Sequence, residues 1–215
     1  MGKLTIPCLA LVTDRRLCRG PSLAEAVDQA IEGGANLVQL REKDLPPTDL
    51  LALAEKLRAV TRDRALFLVN DRLDVALACP DVVGVHLPEQ GLPVAAARRL
   101  AGQGFIIGRS VHSVAEAVRA QEEGADYVQV GAIFASRSHP GQTPAGLVLL
   151  EAVVAAVSIP VLAVGGITAA NVGEAMRAGA SGAAVISAIL SAPPQRDAAR
   201  ELTRAMAAVG AKARP

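Results

Sequence analysis

The chain has 215 residues, enough for one large domain or two small ones, and 51% of them are hydrophobic while only 2% are aromatic. A core made of Ala, Val, Leu and Ile needs many short, regularly packed elements, which favours a layered α/β architecture. The formal net charge is +1, with no basic run or aromatic-interleaved patch, so nucleic acid is excluded as a partner and the expected ligand is small.

In chain order, strands are predicted at about 8–14, 37–41, 65–70, 82–87, 105–111, 126–133, 160–166 and 182–188. Helices are predicted between them, with amphipathic spacing clearest in "SLAEAVDQAIEGG", "TDLLALAEKLRAVTRD", "SVAEAVRAQEEG" and "RDAARELTRAMAAVG", and faintest in the third and fourth. One junction recurs. "EGGANLVQL", "EEGADYVQV" and "RAGASGAAV" each close a helix on a glycine and open an apolar strand. Gly33, Gly124 and Gly179 are expected to take the left-handed conformation there.

Eight strand–helix units in an uninterrupted series predict a single (β/α)₈ TIM-barrel domain spanning 1–215. The rival, an open doubly wound sheet, lacks the expected G-x-G-x-x-G after the first strand. Cys8, Cys18 and Cys79 are widely spaced with no C-x-x-C, which fits idle thiols in a reducing compartment. The start "MGKLTIPCLALVTD" does not read as a signal peptide. The longest apolar span is broken by Pro160, Gly165 and Gly166, so no membrane association is expected and a cytoplasmic location is. A homo-oligomer is left open.

A barrel directs attention to the C-terminal ends of its strands, where active sites lie. The second strand ends in "QLREK", where Gln39, Arg41 and Lys43 are spaced by two and, if extended, face one side. Such a trio suits a planar polar or anionic ligand, the alternative being a rim salt-bridged to Glu42 and Asp44. The third strand ends in "VNDR". Asn70 and Asp71 could hold a ligand amide or Mg²⁺, although Asp71 also fits a helix N-cap. His86 in "VVGVHL" reads as packing.

The fifth strand ends in "GRSVHS", which turns Ser110 and His112 toward the same mouth, with Ser113 placed to cap the next helix. A histidine there can act as a proton shuttle, so His112 is the candidate catalytic acid/base. The long segment "GAIFASRSHPGQTPAG", with Ser136, Ser138 and Gly141, suits a loop that closes over a ligand, or an ordinary connection. Ser138 is a candidate substrate contact. After the seventh and eighth strands, Gly165, Gly166, Ile186 and Ser187 mark the usual phosphate pocket of a barrel. A phosphorylated small molecule is the expected ligand.

The ordered set "QLREK", "VNDRLDVAL", "GVHL", "GRSVHS", "GADYV", "PVLAVGGIT" and "GAAVISAI" resembles the thiamine phosphate synthase/TenI superfamily over about residues 9–190. The resemblance implies a (β/α)₈ barrel that recognises thiazole phosphate in thiamine biosynthesis. Its synthase branch joins a pyrimidine pyrophosphate to thiazole phosphate with Mg²⁺, and has a pattern like G-V-H-x-G-Q-x-D in which the Asp helps hold the metal. Here the segment is "GVHLPEQGLP", with Pro88 for Gly and no Asp. The synthase loop is like F-P-T-x-T-K; here Ala135 and His139 stand for the Pro and Lys.

The tautomerase branch resembles the chain in "GRSVHS" and "HLP", whereas Lys43 and Asp71 fit the synthase. The expectation is therefore an isomerase, a thiazole tautomerase without a cofactor, in which His112 moves a proton on a thiazole carboxylate phosphate. The alternatives are the synthase, a transferase that would use Mg²⁺ at Asp71, and a thiazole-phosphate-binding regulator without turnover.

Overall fold

The computed structural model describes residues 4–18, 20–135 and 144–210. Eight parallel strands close into a barrel in chain order: β1 (Cys8–Val12), β2 (Leu37–Leu40), β3 (Leu66–Asn70), β4 (Gly84–Leu87), β5 (Ile106–Val111), β6 (Tyr127–Val130), β7 (Val161–Val164) and β8 (Gly182–Val185). Closure is direct, with β1 paired to β8 through Cys8 opposite Gly182 and Leu11 opposite Val185. The helices are α1 (Leu23–Glu32), α2 (Pro47–Thr61), α3 (Leu73–Ala78), α4 (Val94–Ala101), α5 (Val114–Glu122), α6 (Gly146–Ala156), α7 (Val172–Arg177), α8 (Ser187–Leu190) and α9 (Gln195–Gly210). The fold is the (β/α)₈ barrel that the repeat of strand and helix signals predicts.

Each expected strand is present, but shorter by one to several residues at its predicted ends. The reason is local. Thr13, Val83, Asp126 and Ile133 still bond to the neighbouring strand through a backbone N–H but lie outside the ladder, and Ser187 and Ala188 belong to α8. The two faints, α3 and α4, are real helices of 6 and 8 residues.

The helix-closing glycines need a correction at one junction. Gly124 and Gly179 have φ of 95° and 91°, as expected, but after α1 the left-handed residue is Gly34 (φ 107°) rather than Gly33. Gly33 has φ −80° and is small for another reason: a Cβ there would collide with the backbone of Arg196 at the start of α9.

Alternation along the strands divides the apolar side chains into two groups. Outward-facing residues such as Leu9, Leu11, Val38, Val69, Val85, Ile107 and Val128 meet the helices in the larger cluster. Inward-facing Cys8, Ala10, Val12, Leu37, Leu68, Ile106, Tyr127, Leu162 and Ala184 fill the barrel axis. Tyr127, the chain's one tyrosine, lies across Gly108 of the neighbouring strand; a Cβ at Gly108 would overlap its ring. At the bottom of the barrel Arg98 donates to the carbonyls of Gly102 (2.9 Å) and Gly124 (2.8 Å) and pairs with Asp126 (2.6 Å), tying α4 to the start of β6. No helix among the described residues is long and apolar enough to cross a membrane.

Candidate active site

The top of the barrel interior is polar. Gln39 of β2, His86 of β4 and Gln129 of β6 are buried, with Asn70 of β3 and Ser110 of β5 half-buried beside them. Each sits on an inward-facing position near the strand's C-terminal end. They bond to one another: Gln129 Nε2 donates to Gln39 Oε1 (3.1 Å) and Gln39 Nε2 donates to Asn70 Oδ1 (2.9 Å). His86 lies between the Tyr127 hydroxyl, 3.0 Å from Nδ1, and the Ser110 hydroxyl, 2.9 Å from Nε2.

Full burial pushes the His86 pKa down to about 3, with the Arg109 and Arg41 cations adding to the shift. His86 is therefore neutral at physiological pH and belongs to the packed interior, in keeping with its expected role. Tyr127 and Gln129 are the interior residues that sequence reasoning missed. The signal was present in "YVQV", where a polar pair at period two marks one face of β6.

Above this layer lie the rim cations. β2 ends at Leu40, so only Gln39 of the "QLREK" trio is a strand residue; Arg41 follows the strand and Lys43 occupies a turn. The alternative of a rim locked by Glu42 and Asp44 is not what forms. Arg15 takes both carboxylates, at 3.0 Å from Glu42 and 2.7 Å from Asp44. The Arg15 guanidinium holds the Asp44 carboxyl down to about 2. Among the described residues, no salt bridge engages Arg41 or Lys43.

Asp71 follows β3 with φ 65°, a conformation that Asp tolerates better than most residues. It does not cap α3: that helix starts after Arg72 with no side-chain cap. A Cβ on Gly91, in the β4–α4 loop, would stand 3.0 Å from Asp71 Oδ1. Arg109 holds this loop through the carbonyls of Leu92 (3.0 Å) and Glu89 (2.5 Å). Ser110 also lines a cavity of about 300 Å³ between α4 and α5, with Glu89, Arg109 and Glu116.

His112 lies just beyond β5, and its ring does not join the interior layer. Its Nδ1 is 2.6 Å from the Gly131 carbonyl, an acceptor, so Nδ1 carries a proton. Its Nε2 is 3.5 Å from Glu89. Its backbone N–H donates to Glu116, whose own N–H donates to Ser113 Oγ, so Ser113 caps α5 as expected.

Gly165 and Gly166 follow β7 with φ of 92° and 65°. Close packing explains both. A Cβ on Gly165 would come within 2.6 Å of Ala132 Cβ, and one on Gly166 within 2.5 Å of the Ala135 carbonyl. Ile186 precedes α8 and Ser187 opens it. Ser136, Ser138, His139 and Gly141 lie outside the described residues.

The sequence matches the family described as thiamine monophosphate synthase over residues 9–189. The chain belongs to that family. The thiamine-phosphate synthase of Methanoculleus marisnigri is 49% identical over 208 residues, which is 96% of this chain and 98% of that protein. That of Roseiflexus castenholzii is 45% identical, over 89% of this chain and 85% of that one. Among solved structures, thiamine phosphate pyrophosphorylase from Pyrococcus furiosus superposes with a TM-score of 0.85 and 40% identity, covering 94% of this chain and 96% of that one.

These relatives overturn the tautomerase expectation. That expectation rested on short stretches, "HLP" and "GRSVHS", and on departures at Pro88, Ala135 and His139 and the lack of an Asp after the fourth strand. Relatives bearing the synthase name match nearly the whole chain instead. The isomerase assignment goes with it. Family membership in the thiamine phosphate synthase/TenI group stands.

Proposed function

We propose that the chain is a thiamine-phosphate synthase, a transferase joining hydroxymethylpyrimidine pyrophosphate to thiazole phosphate. The observation that carries this reading is 49% identity to a protein of that name across 96% of this chain and 98% of the relative. The site supports it chemically. A polar layer of amides and a hydroxyl suits a heteroaromatic ring, and rim cations suit phosphates.

In this reading Gln39, Asn70 and Ser110 orient the pyrimidine at the barrel mouth. Arg41 and Lys43, not engaged by Glu42 or Asp44, face the pyrophosphate. Gly165, Gly166, Ile186 and Ser187 receive the phosphate of the thiazole, with Ser138 a further substrate contact. The thiazole nitrogen forms a bond to the pyrimidine methylene carbon as the carbon–oxygen bond to pyrophosphate breaks. The chain's residues therefore align two rings and hold the leaving anion, a task of positioning and charge stabilisation.

Mg²⁺ is implied by the family. Among the described residues no group of three His, Cys, Asp or Glu side chains gathers to hold a metal. Asp71 supplies one carboxylate, and the small Gly91 beside it leaves room next to Oδ1. That fits a cation held by one carboxylate, with substrate phosphate oxygens and water completing its shell, as Mg²⁺ commonly binds. When bound, Mg²⁺ would neutralise charge on the departing pyrophosphate.

The test is to incubate purified protein with both substrates, with and without Mg²⁺, and to follow thiamine phosphate. Product that accumulates only when both substrates and Mg²⁺ are present is expected. Absence of product from a folded protein that binds both compounds would sink the assignment.

A further inference from the structure

The interior contains two hydrogen-bond chains whose directions can be worked out. We propose that Tyr127 and His86 are positioning residues that set the Ser110 hydroxyl as a hydrogen-bond donor toward an acceptor atom of the ligand at the barrel mouth. The identity of that ligand rests on the synthase reading; the direction of the chain does not.

Tyr127 is fully buried against Gly108, and among the described residues its hydroxyl bonds to His86 Nδ1. Burial raises its pKa well above 10, so the phenol keeps its single proton. A buried O–H without an acceptor is costly, so that proton is donated to Nδ1. A neutral imidazole that accepts at Nδ1 carries its hydrogen on Nε2. Nε2 faces Ser110 Oγ at 2.9 Å, so Ser110 accepts. Its own hydrogen remains unspent, at the open end of β5.

The reverse direction fails on the same count. If Ser110 donated to Nε2, His86 would donate from Nδ1 to Tyr127, and the phenol proton would be left inside the barrel with no acceptor among the described residues. The amide chain reaches a parallel end: Gln129 donates to Gln39, Gln39 to Asn70 Oδ1, and the Asn70 Nδ2 group is left to donate. Asn70 pairs with His86, and Ser110 with Gln129, in the sheet register. Two donors thus end the two chains, each on an inward-facing position near its strand's C-terminal end, a pattern complementary to acceptor heteroatoms of an aromatic ring.

The experiment is long-range nitrogen–proton correlation NMR on protein labelled with heavy nitrogen, with His86→Gln used to assign the signals. Wild-type His86 is expected as the neutral Nε2–H tautomer, unchanged from about pH 7 to about pH 5. The Nδ1–H tautomer would overturn the proposal, whether or not any variant folds.

Tyr127→Phe removes the donor. It should release the tautomer preference and lower kcat about ten-fold, the size of one lost hydrogen bond in the transition state. In a Ser110→Ala background the same change should cost less than about two-fold, because the path to the ligand is already cut. A full ten-fold loss in that background would mark Tyr127 as merely structural. If the protein lacks synthase turnover, affinity for the pyrimidine pyrophosphate replaces kcat in the same cycle. That result would remove the assigned reaction while the tautomer still decides the relay.

Discussion

The interior polar layer and the rim of the barrel mouth use their polar residues in opposite ways. Inside, Gln39, His86, Tyr127, Ser110 and Gln129 bond to each other, so their geometry is set before any ligand arrives. At the rim, Arg41, Lys43 and Asp71 make no side-chain salt bridge among the described residues, and Arg15 engages the neighbouring carboxylates Glu42 and Asp44. The lesson is that preorganisation and charge are carried by different layers. The interior is fixed by its own hydrogen bonds, and in the proposed reading the rim is where anions and a cation would bind.

Substitutions can break this comparison. The largest effect is expected from Gly166→Val, which places a branched side chain at φ 65° and against the Phe134 and Ala135 carbonyls. It should cost about 3 kcal/mol or more by urea unfolding, so that lost phosphate binding follows lost structure. Ser187→Ala is the cleaner probe: affinity for thiazole phosphate should fall with the unfolding midpoint unchanged.

Next in size, Asp71→Asn should lower turnover roughly 10²-fold, about 2.7 kcal/mol, and raise the Mg²⁺ concentration needed for half activity. Stability should be unaffected, since Asp71 caps nothing. Equal losses of stability and turnover would show that the rim is structural after all.

The interior has its own signature in pH. The His86 pKa is lowered to about 3 in the fold from 6.5. Below about pH 6.5 the unfolded chain takes up a proton that the folded chain refuses, so this contribution falls as pH drops. Between pH 7 and pH 5 it should amount to about 2 kcal/mol. His86→Gln should flatten that part of the stability–pH curve in denaturant titrations, and an unchanged slope would refute the assignment. Smallest is Ser113→Ala, a loss of about 1 kcal/mol from the α5 cap with turnover intact.

Much of this was legible in the sequence. Eight apolar runs, each closed by turn residues, marked parallel strands buried on both faces, and their number together with the missing G-x-G-x-x-G favoured the barrel over an open sheet. Ser113 was found as a cap because capping is local. The partners of His86 were not found, since they come from β5 and β6, 24 and 41 residues away. Arg15 was missed for the same reason; its carboxylates lie 27 and 29 residues on. The activity was misassigned because a few rim residues were weighed above the rest. A few rim residues can differ while the remaining chain still reports descent.

Gly108 and Tyr127 form one object in the packing of the axis. The bulk of the aromatic ring occupies volume that the glycine gives up, so the two positions behave as a single site with a fixed total size. Exchange at either alone overfills or hollows the barrel, while a joint exchange, a larger residue at 108 with a smaller one at 127, conserves it. Such a pair is expected to travel together through a lineage, and the relay to Ser110 would be the function surrendered by any lineage that made the trade.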